Sequence, residues 1–197
     1  MVQEAFGWFP SVFYANLYAI IVLVALLSDE IVPRLTGGKG VSLNQESDRG
    51  SFILIYLSSL LGLFLGIYFR YRNIGVSPFW VQVLGLLLLL AGTLIREWAI
   101  ALLGRFFSRT VKIEQGHQLI TNGPFSKIRH PAYTGMIMMY TAIILGLGTW
   151  TGALFMFIII LIPTIYRISV EEQALLESFG DEYLVYMNKT WRLFPGW

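Results

Sequence analysis

Residues 78–103 read PFWVQVLGLLLLLAGTLIREWAIALL, an apolar run whose only charges are Arg96 and Glu97. A helix crossing a hydrocarbon core of about 30 Å needs roughly 20 apolar residues. This run is long enough, and Pro78 stands near the first turn, where its missing N–H is harmless. Neighbouring side chains on a helix point about 100° apart. A charge at membrane depth is costly without a partner. Arg96 and Glu97 are therefore each expected to meet a partner on another helix, either as structure or as part of a site.

Working outward, the same test finds four more spans. Residues 8–27 form the first, which Asp29-Glu30 and Pro33 are expected to stop. With no basic stretch before it and no obvious small-residue cleavage site, it reads as a span rather than a signal peptide. Residues 52–69 form the second, closed by Arg70-Tyr71-Arg72. Beyond the third span and a polar connection at 104–130 come 131–146 and 150–165, joined by a tight turn at 146–149. Residues 167–189 read as a polar, partly amphipathic helical tail broken at Gly180. The expected fold is all-α: a polytopic transmembrane bundle of five spans, one membrane domain over residues 1–197. Gly62/Gly66 and Gly148/Gly152 are small-residue pairs that favour close helix packing over dimerisation.

Composition agrees. The 197 residues are 56% hydrophobic and 13% charged, with a mean hydropathy of +0.65. A soluble domain carries about 25% charged residues, so much of this surface must face lipid. Lys and Arg placement sets orientation. Arg34, Lys39, Arg49, Arg105, Arg109, Lys112, Lys127, Arg129, Arg167, Lys189 and Arg192 fall on one side, and Arg70 and Arg72 on the other. Positive charge favours the cytoplasm. The N-terminus is expected outside the cell membrane, with the 104–130 loop and the tail in the cytoplasm.

Several chemistries are excluded. The chain has no cysteine, so disulfides, thiolate metal sites and cysteine nucleophiles are absent. Two histidines and a few carboxylates are a poor basis for zinc, and no metal is expected. There is no GxGxxG, P-loop or HExxH. The loop basic residues suit lipid headgroups and do not form a nucleic-acid patch.

The remaining polarity lies in two segments within 112–186. The first, residues 112–135, is KIEQGHQLITNGPFSKIRHPAYTG and holds both histidines, His117 and His130. Pro131 suits the first helical position, which puts His130 at the N-cap. The helix start then offers unpaired N–H groups and a positive dipole end to an anion. Alternatively, Arg129, His130 and Tyr133 are only interfacial anchors. The second segment, residues 167–186, is RISVEEQALLESFGDEYLVY. Arg167 and Glu171 are four apart and share a helix face, which permits an ordinary ion pair. Yet Arg167 directly follows an apolar run, where a retained charge is a functional candidate.

Together the segments resemble the isoprenylcysteine carboxyl methyltransferase family, within a wider group that includes phospholipid N-methyltransferases. The pattern is His117-x-Leu119-Ile120, Gly123-Pro124-Phe125, Arg129-His130-Pro131-x-Tyr133-x-Gly135, Arg167-x-x-x-Glu171-Glu172, and Phe179-Gly180-x-x-Tyr183-x-x-Tyr186. With five spans the chain resembles the family's compact prokaryotic or archaeal form. The resemblance implies that His117, Leu119, Ile120, Phe125, His130, Pro131, Tyr133 and Glu171 hold S-adenosylmethionine, with S-adenosylhomocysteine as product. It also implies that Arg167 faces the carboxylate of a lipid-like or prenylated substrate. Phe125 stands where many members carry tyrosine. The expected activity is carboxyl O-methylation at the membrane interface. A carboxylate is already ionised at neutral pH, so positioning and desolvation carry the work.

Three other readings stay open. A phospholipid or amine N-methyltransferase would use the same cofactor and need a base such as Glu172, a candidate catalytic residue beside Arg167. An NADPH-dependent sterol-type membrane reductase would need a basic cluster for the 2′-phosphate. A non-enzymatic transporter would need polar span residues, which are scarce here.

Overall fold

The computed structural model describes residues 6–38, 48–109 and 118–197. His117, Lys112 and Lys39 lie outside the described residues. Among those described there are six α-helices and no strand: α1 Val12–Leu35, α2 Ser51–Tyr71, α3 Phe79–Leu103, α4 Pro131–Gly146, α5 Trp150–Phe179 and α6 Asp181–Lys189. Helices α1, α2, α3 and α5 are long and apolar enough to cross a membrane, whereas α4 is a shorter apolar helix of 16 residues. Their outer faces carry bulky exposed apolar side chains, such as Phe13, Phe64, Leu94 and Ile162. A water-facing surface rarely presents so continuous an apolar area. The chain is an integral membrane protein.

Helix α4 explains the arrangement. At about 1.5 Å per residue it is roughly 24 Å long, shorter than the hydrocarbon core. It has no exposed residue along its length. The other helices, not lipid, surround it: α3 packs most extensively on α4, α2 on α5, and α5 on α4. Small residues allow the closest approach. A Cβ added at Gly135 would stand 2.6 Å from the Gly92 carbonyl oxygen and 2.7 Å from the Arg96 nitrogen. Those are backbone atoms, which cannot turn aside. Gly62 and Gly66 pack inward, where an added Cβ would strike Met156 and Ile144.

The helices run in alternating directions, so two ends can be distinguished. At one end an antiparallel bridge joins Val76 to Thr149, and Thr149 caps α5 by accepting from the Gly152 N–H. Arg70 is buried there. It donates to the carbonyls of Leu147 and Trp8 and to Asn73, and its guanidinium lies over the Trp8 ring. At the opposite end a parallel bridge joins Ile128 to Trp191. The Arg129 and His130 N–H groups donate to the Trp191 and Arg192 carbonyls, and Thr134 Oγ1 donates to the Leu193 carbonyl at 2.6 Å. The last residues thus strap the start of α4.

The structure departs from expectation at α1, which does not stop at Asp29-Glu30 but runs through Pro33 to Leu35. Proline has no N–H and leaves the carbonyl four residues back unpaired. That carbonyl belongs to Asp29, and Arg109 Nη2 donates to it at 2.6 Å. The acidic side chains are paired as well. Asp29 binds Arg96 Nε, and Glu30 lies 2.7 Å from Arg109 Nη1. Glu97 accepts from Ser28 Oγ at 3.0 Å. Both charges of α3 therefore find partners on α1, as the sequence requires.

Helix α5 is one continuous helix rather than a span followed by a separate tail. Its 30 residues measure about 45 Å. The far third thus projects beyond a 30 Å core. Arg167 lies about 25 Å from the start of the helix, near the edge of the apolar layer. Glu171 and Glu172 come one turn further out. The helix ends at Gly180, with φ +53°, which redirects α6 across the bundle end.

Candidate active site

His130 is the N-cap of α4 and Pro131 its first residue, as the sequence implies. Proline supplies the helical φ and lacks the N–H that would be orphaned there. This fixes Tyr133 in the first turn. Its phenol occupies the centre of a three-residue relay: Arg167 Nε donates to Tyr133 Oη at 2.9 Å, and Tyr133 Oη donates to Glu171 at 2.7 Å. The expected direct Arg167–Glu171 ion pair is therefore replaced by one bridged through α4.

Arg167 is almost fully buried. Its Nη1 donates to Asp48 and to Ser51 Oγ, the latter at 2.9 Å, and its Nη2 donates to the Arg109 carbonyl at 3.0 Å. Arg167 thus joins α2, α4, α5 and the segment after α3. A buried guanidinium is tolerated when its fork of donors is satisfied in this way.

The relay lies on a cavity of about 430 Å³, within the range of roughly 300–1,000 Å³ for small-molecule sites. Leu119, Ile120, Phe125, His130, Tyr133, Arg167 and Glu171 all line it. From the relay an arm runs into the bundle, lined by Ile55, Ser59, Met136 and Tyr140. Tyr140 is roughly 13 Å along α4 from Pro131. Tyr56 of α2 both lines the cavity and is exposed on the apolar outer face.

Two expected site residues are placed differently. Pro131 does not line the cavity, although its neighbours His130 and Ala132 do. Glu172 also lies outside it. One residue beyond Glu171, it points about 100° away, towards three nitrogen groups. Arg129 Nε donates to it at 2.9 Å, Arg192 Nη2 donates at 2.5 Å, and His130 Nε2 lies 3.2 Å away. Arg129 also donates to the carbonyls of Met187 and Thr190. Glu172 thus anchors α5, the start of α4 and the terminal strap together.

The cavity includes residues that the sequence motifs left without a role: Asp29, Arg96, Arg109, Tyr140, Tyr183 and Tyr186. Tyr186 donates to the Phe125 carbonyl at 2.7 Å, which fixes the loop ahead of α4. Burial pushes the Tyr186 phenol above its ordinary range, with Arg129 opposing. Tyr183 is the informative one. Its hydroxyl is buried with no hydrogen-bond partner among the described residues. Burial, and after it the negative charges of Glu172 and Glu171, raise its pKa far above that of a free phenol. Among the described residues it is a buried phenol without an acceptor. Buried polar groups are rarely left unpaired, which makes this hydroxyl a candidate donor to a bound ligand.

The residues fit a small polar cofactor: an orphan phenol, a carboxylate at Glu171, a helix start at His130, and apolar walls at Leu119, Ile120 and Phe125. Comparison with known proteins agrees with this geometry. Residues 83–177 match the isoprenylcysteine carboxyl methyltransferase (ICMT) family. Protein-S-isoprenylcysteine O-methyltransferase A of Arabidopsis thaliana is 33% identical over 109 residues, 54% of this chain and 55% of that one. The Saccharomyces cerevisiae protein-S-isoprenylcysteine O-methyltransferase is 28% identical over 194 residues, 93% of this chain and 81% of the relative. The eukaryotic intramembrane Ras methyltransferase ICMT superposes with a TM-score of 0.55 at 23% identity, covering 79% of this chain and 54% of that one. This structural likeness bears on the fold alone. The chain spans about half the length of the plant relatives it matches. The expected kinship with a prokaryotic form is not borne out, because these relatives are eukaryotic. The plant match covers nearly equal shares of both chains, so compactness is no mark of a prokaryotic source. The apolar bundle, the ordered motifs and the matched segment make residues 83–177 of this chain similar to the isoprenylcysteine carboxyl methyltransferase family.

Proposed function

We propose that this protein is an S-adenosylmethionine-dependent methyltransferase that esterifies the carboxylate of a prenylcysteine-like lipophilic acid at the cytoplasmic face of a cell membrane. The observation that carries the reading is the Arg167–Tyr133–Glu171 relay on a cavity with a polar end and an arm into the bundle. The cofactor would supply a sulfonium methyl: its C–S bond breaks as a carboxylate oxygen forms the new C–O bond, leaving S-adenosylhomocysteine.

The chain's own residues do the rest. Glu171 accepts hydrogen bonds and offers negative charge to the cofactor's amino group or hydroxyls. His130 and Ala132 present the start of α4 to its carboxylate, where the dipole end favours an anion. Tyr183 donates to an acceptor atom, while Leu119, Ile120 and Phe125 pack apolar surface around it. Arg167 holds the acceptor carboxylate at a fixed angle, and Tyr133 holds Arg167. Because the carboxylate is ionised at neutral pH, no base is needed. This is consistent with Glu172 being locked to Arg129 and Arg192. An apolar tail would enter past Tyr56 and occupy the arm towards Tyr140, sequestering the reacting atoms from water.

Calorimetry of the purified protein with S-adenosylhomocysteine, followed by a panel of prenylcysteine, fatty-acid and aminolipid acceptors, tests this reading. Saturable binding and turnover restricted to lipophilic acids support it. Absence of binding removes it.

A further inference from the structure

We infer that Tyr140 is the floor of the cavity's inner arm and sets how much of an acceptor's apolar tail the protein buries. The inference rests on the lipophilic-acceptor reading above. Three observations carry it. First, Tyr140 is the innermost residue of α4 to line the cavity, and Ser59 is the innermost of α2. One turn deeper the bundle is solid. Ile143 and Ile144 on α4, and Met156 and Ile160 on α5, are almost fully buried, and none of them lines the cavity. At Gly62, the next turn of α2, an added Cβ would stand 2.5 Å from Met156 Sδ. Helices α2 and α5 therefore meet there with no room for a tail. Second, the Tyr140 ring packs against this buried cluster, so it cannot swing inward to make way. Its hydroxyl interacts with Ser59 across the arm. Third, the lining changes character along the arm. Ile55 and Met136 are apolar, whereas Ser59 and Tyr140 present hydroxyl groups at its end.

A tail that ends above Tyr140 gains from every carbon it buries. A tail that reaches Tyr140 gains nothing from further carbons there, because the ring blocks them and a hydrocarbon cannot replace the contact with Ser59. Its excess length turns back towards the outer face at Tyr56, which is exposed. Tyr140 thus discriminates by tail length at the end remote from the reacting carboxylate. Removing the phenol opens space at the blind end for about one more isoprene unit.

The test uses the full chain in liposomes, with N-acetylcysteine thioethers carrying geranyl, farnesyl and geranylgeranyl tails as acceptors. S-adenosylhomocysteine is the cofactor probe. Dividing each variant's KM by the wild-type KM for the same tail cancels partitioning into the membrane. Tyr140→Ala removes the floor. Tyr140→Leu shortens it but keeps an apolar packing group, which covers a failure of the alanine variant to fold. Tyr140→Phe keeps the ring. The Ala and Leu variants should bind S-adenosylhomocysteine like wild type. Their KM ratio should be about tenfold lower for geranylgeranyl than for geranyl. The Phe ratio should be equal across tails. An equal ratio for all three tails in the Ala or Leu variant, with intact cofactor binding, overturns the role of Tyr140. So does a Phe variant that shifts as far as Leu. Failure of wild type to bind S-adenosylhomocysteine would instead overturn the methyltransferase reading itself.

Discussion

Tyr183→Phe removes one oxygen from the wall of the cavity, and the structure assigns that atom no partner among the described residues. The side chain is 1% exposed, so the free protein bears the cost of a desolvated hydroxyl. Leaving such a group unsatisfied costs about 1–3 kcal/mol. Its removal should leave the thermal midpoint of the ligand-free protein unchanged or raise it. The ligand-bound protein behaves oppositely. A neutral hydrogen bond contributes about 0.5–1.5 kcal/mol net, so S-adenosylhomocysteine should bind roughly two- to twelvefold more weakly. Titration calorimetry and differential scanning fluorimetry on the same samples separate the two effects. A fall in the ligand-free midpoint, with unchanged affinity, would mean that the hydroxyl serves the fold. The assignment of Tyr183 to the ligand would then be refuted.

Five further outcomes are expected. Glu172→Gln leaves Arg129 and Arg192 facing a neutral amide and should cost about 3 kcal/mol, read as a lower thermal midpoint. Glu171→Gln should instead preserve the midpoint and weaken cofactor affinity. Gly135→Ala should destabilise by about 1–3 kcal/mol, because the new methyl meets backbone at Gly92 and Arg96; Ser126→Ala, at an exposed position, should be near neutral. Arg167→Ala should abolish turnover, but it also strands buried Asp48. The double variant with Asp48→Asn should recover stability and not turnover. Because the chain has no cysteine, single cysteines at Lys127 and Asn73 report orientation cleanly. An impermeant maleimide applied to intact cells should label position 73 and not 127.

Much of the fold was legible because its signals are local. The five apolar runs, the turn at 146–149, Pro131 at the start of α4 and the break at Gly180 each depend on a few adjacent residues. What the sequence concealed depends on distant partners. Asp29, Glu30 and Pro33 look like a stop, yet Arg96 and Arg109, nearly 70 or more positions away in the chain, neutralise the acids and take the carbonyl that Pro33 frees. Likewise Glu171 and Glu172 are chemically alike. Only the placement of Tyr133 on one side and Arg129 and Arg192 on the other gives one to the cavity and the other to the strap. Asp48 carried no motif at all. Tyr183 belonged to the motif, but its value lies in an unmet hydrogen bond, which no sequence pattern records.

The central claim is that Arg167 presents a lipophilic carboxylate for methylation. It is tested most directly by supplying S-adenosylmethionine labelled in its methyl group to the protein in liposomes with N-acetyl-S-farnesylcysteine, then treating the product with alkali. A methyl ester hydrolyses, so the account predicts label released as volatile methanol, dependent on Arg167. Label retained in an alkali-stable product, or no transfer from a protein that binds S-adenosylhomocysteine, would contradict it.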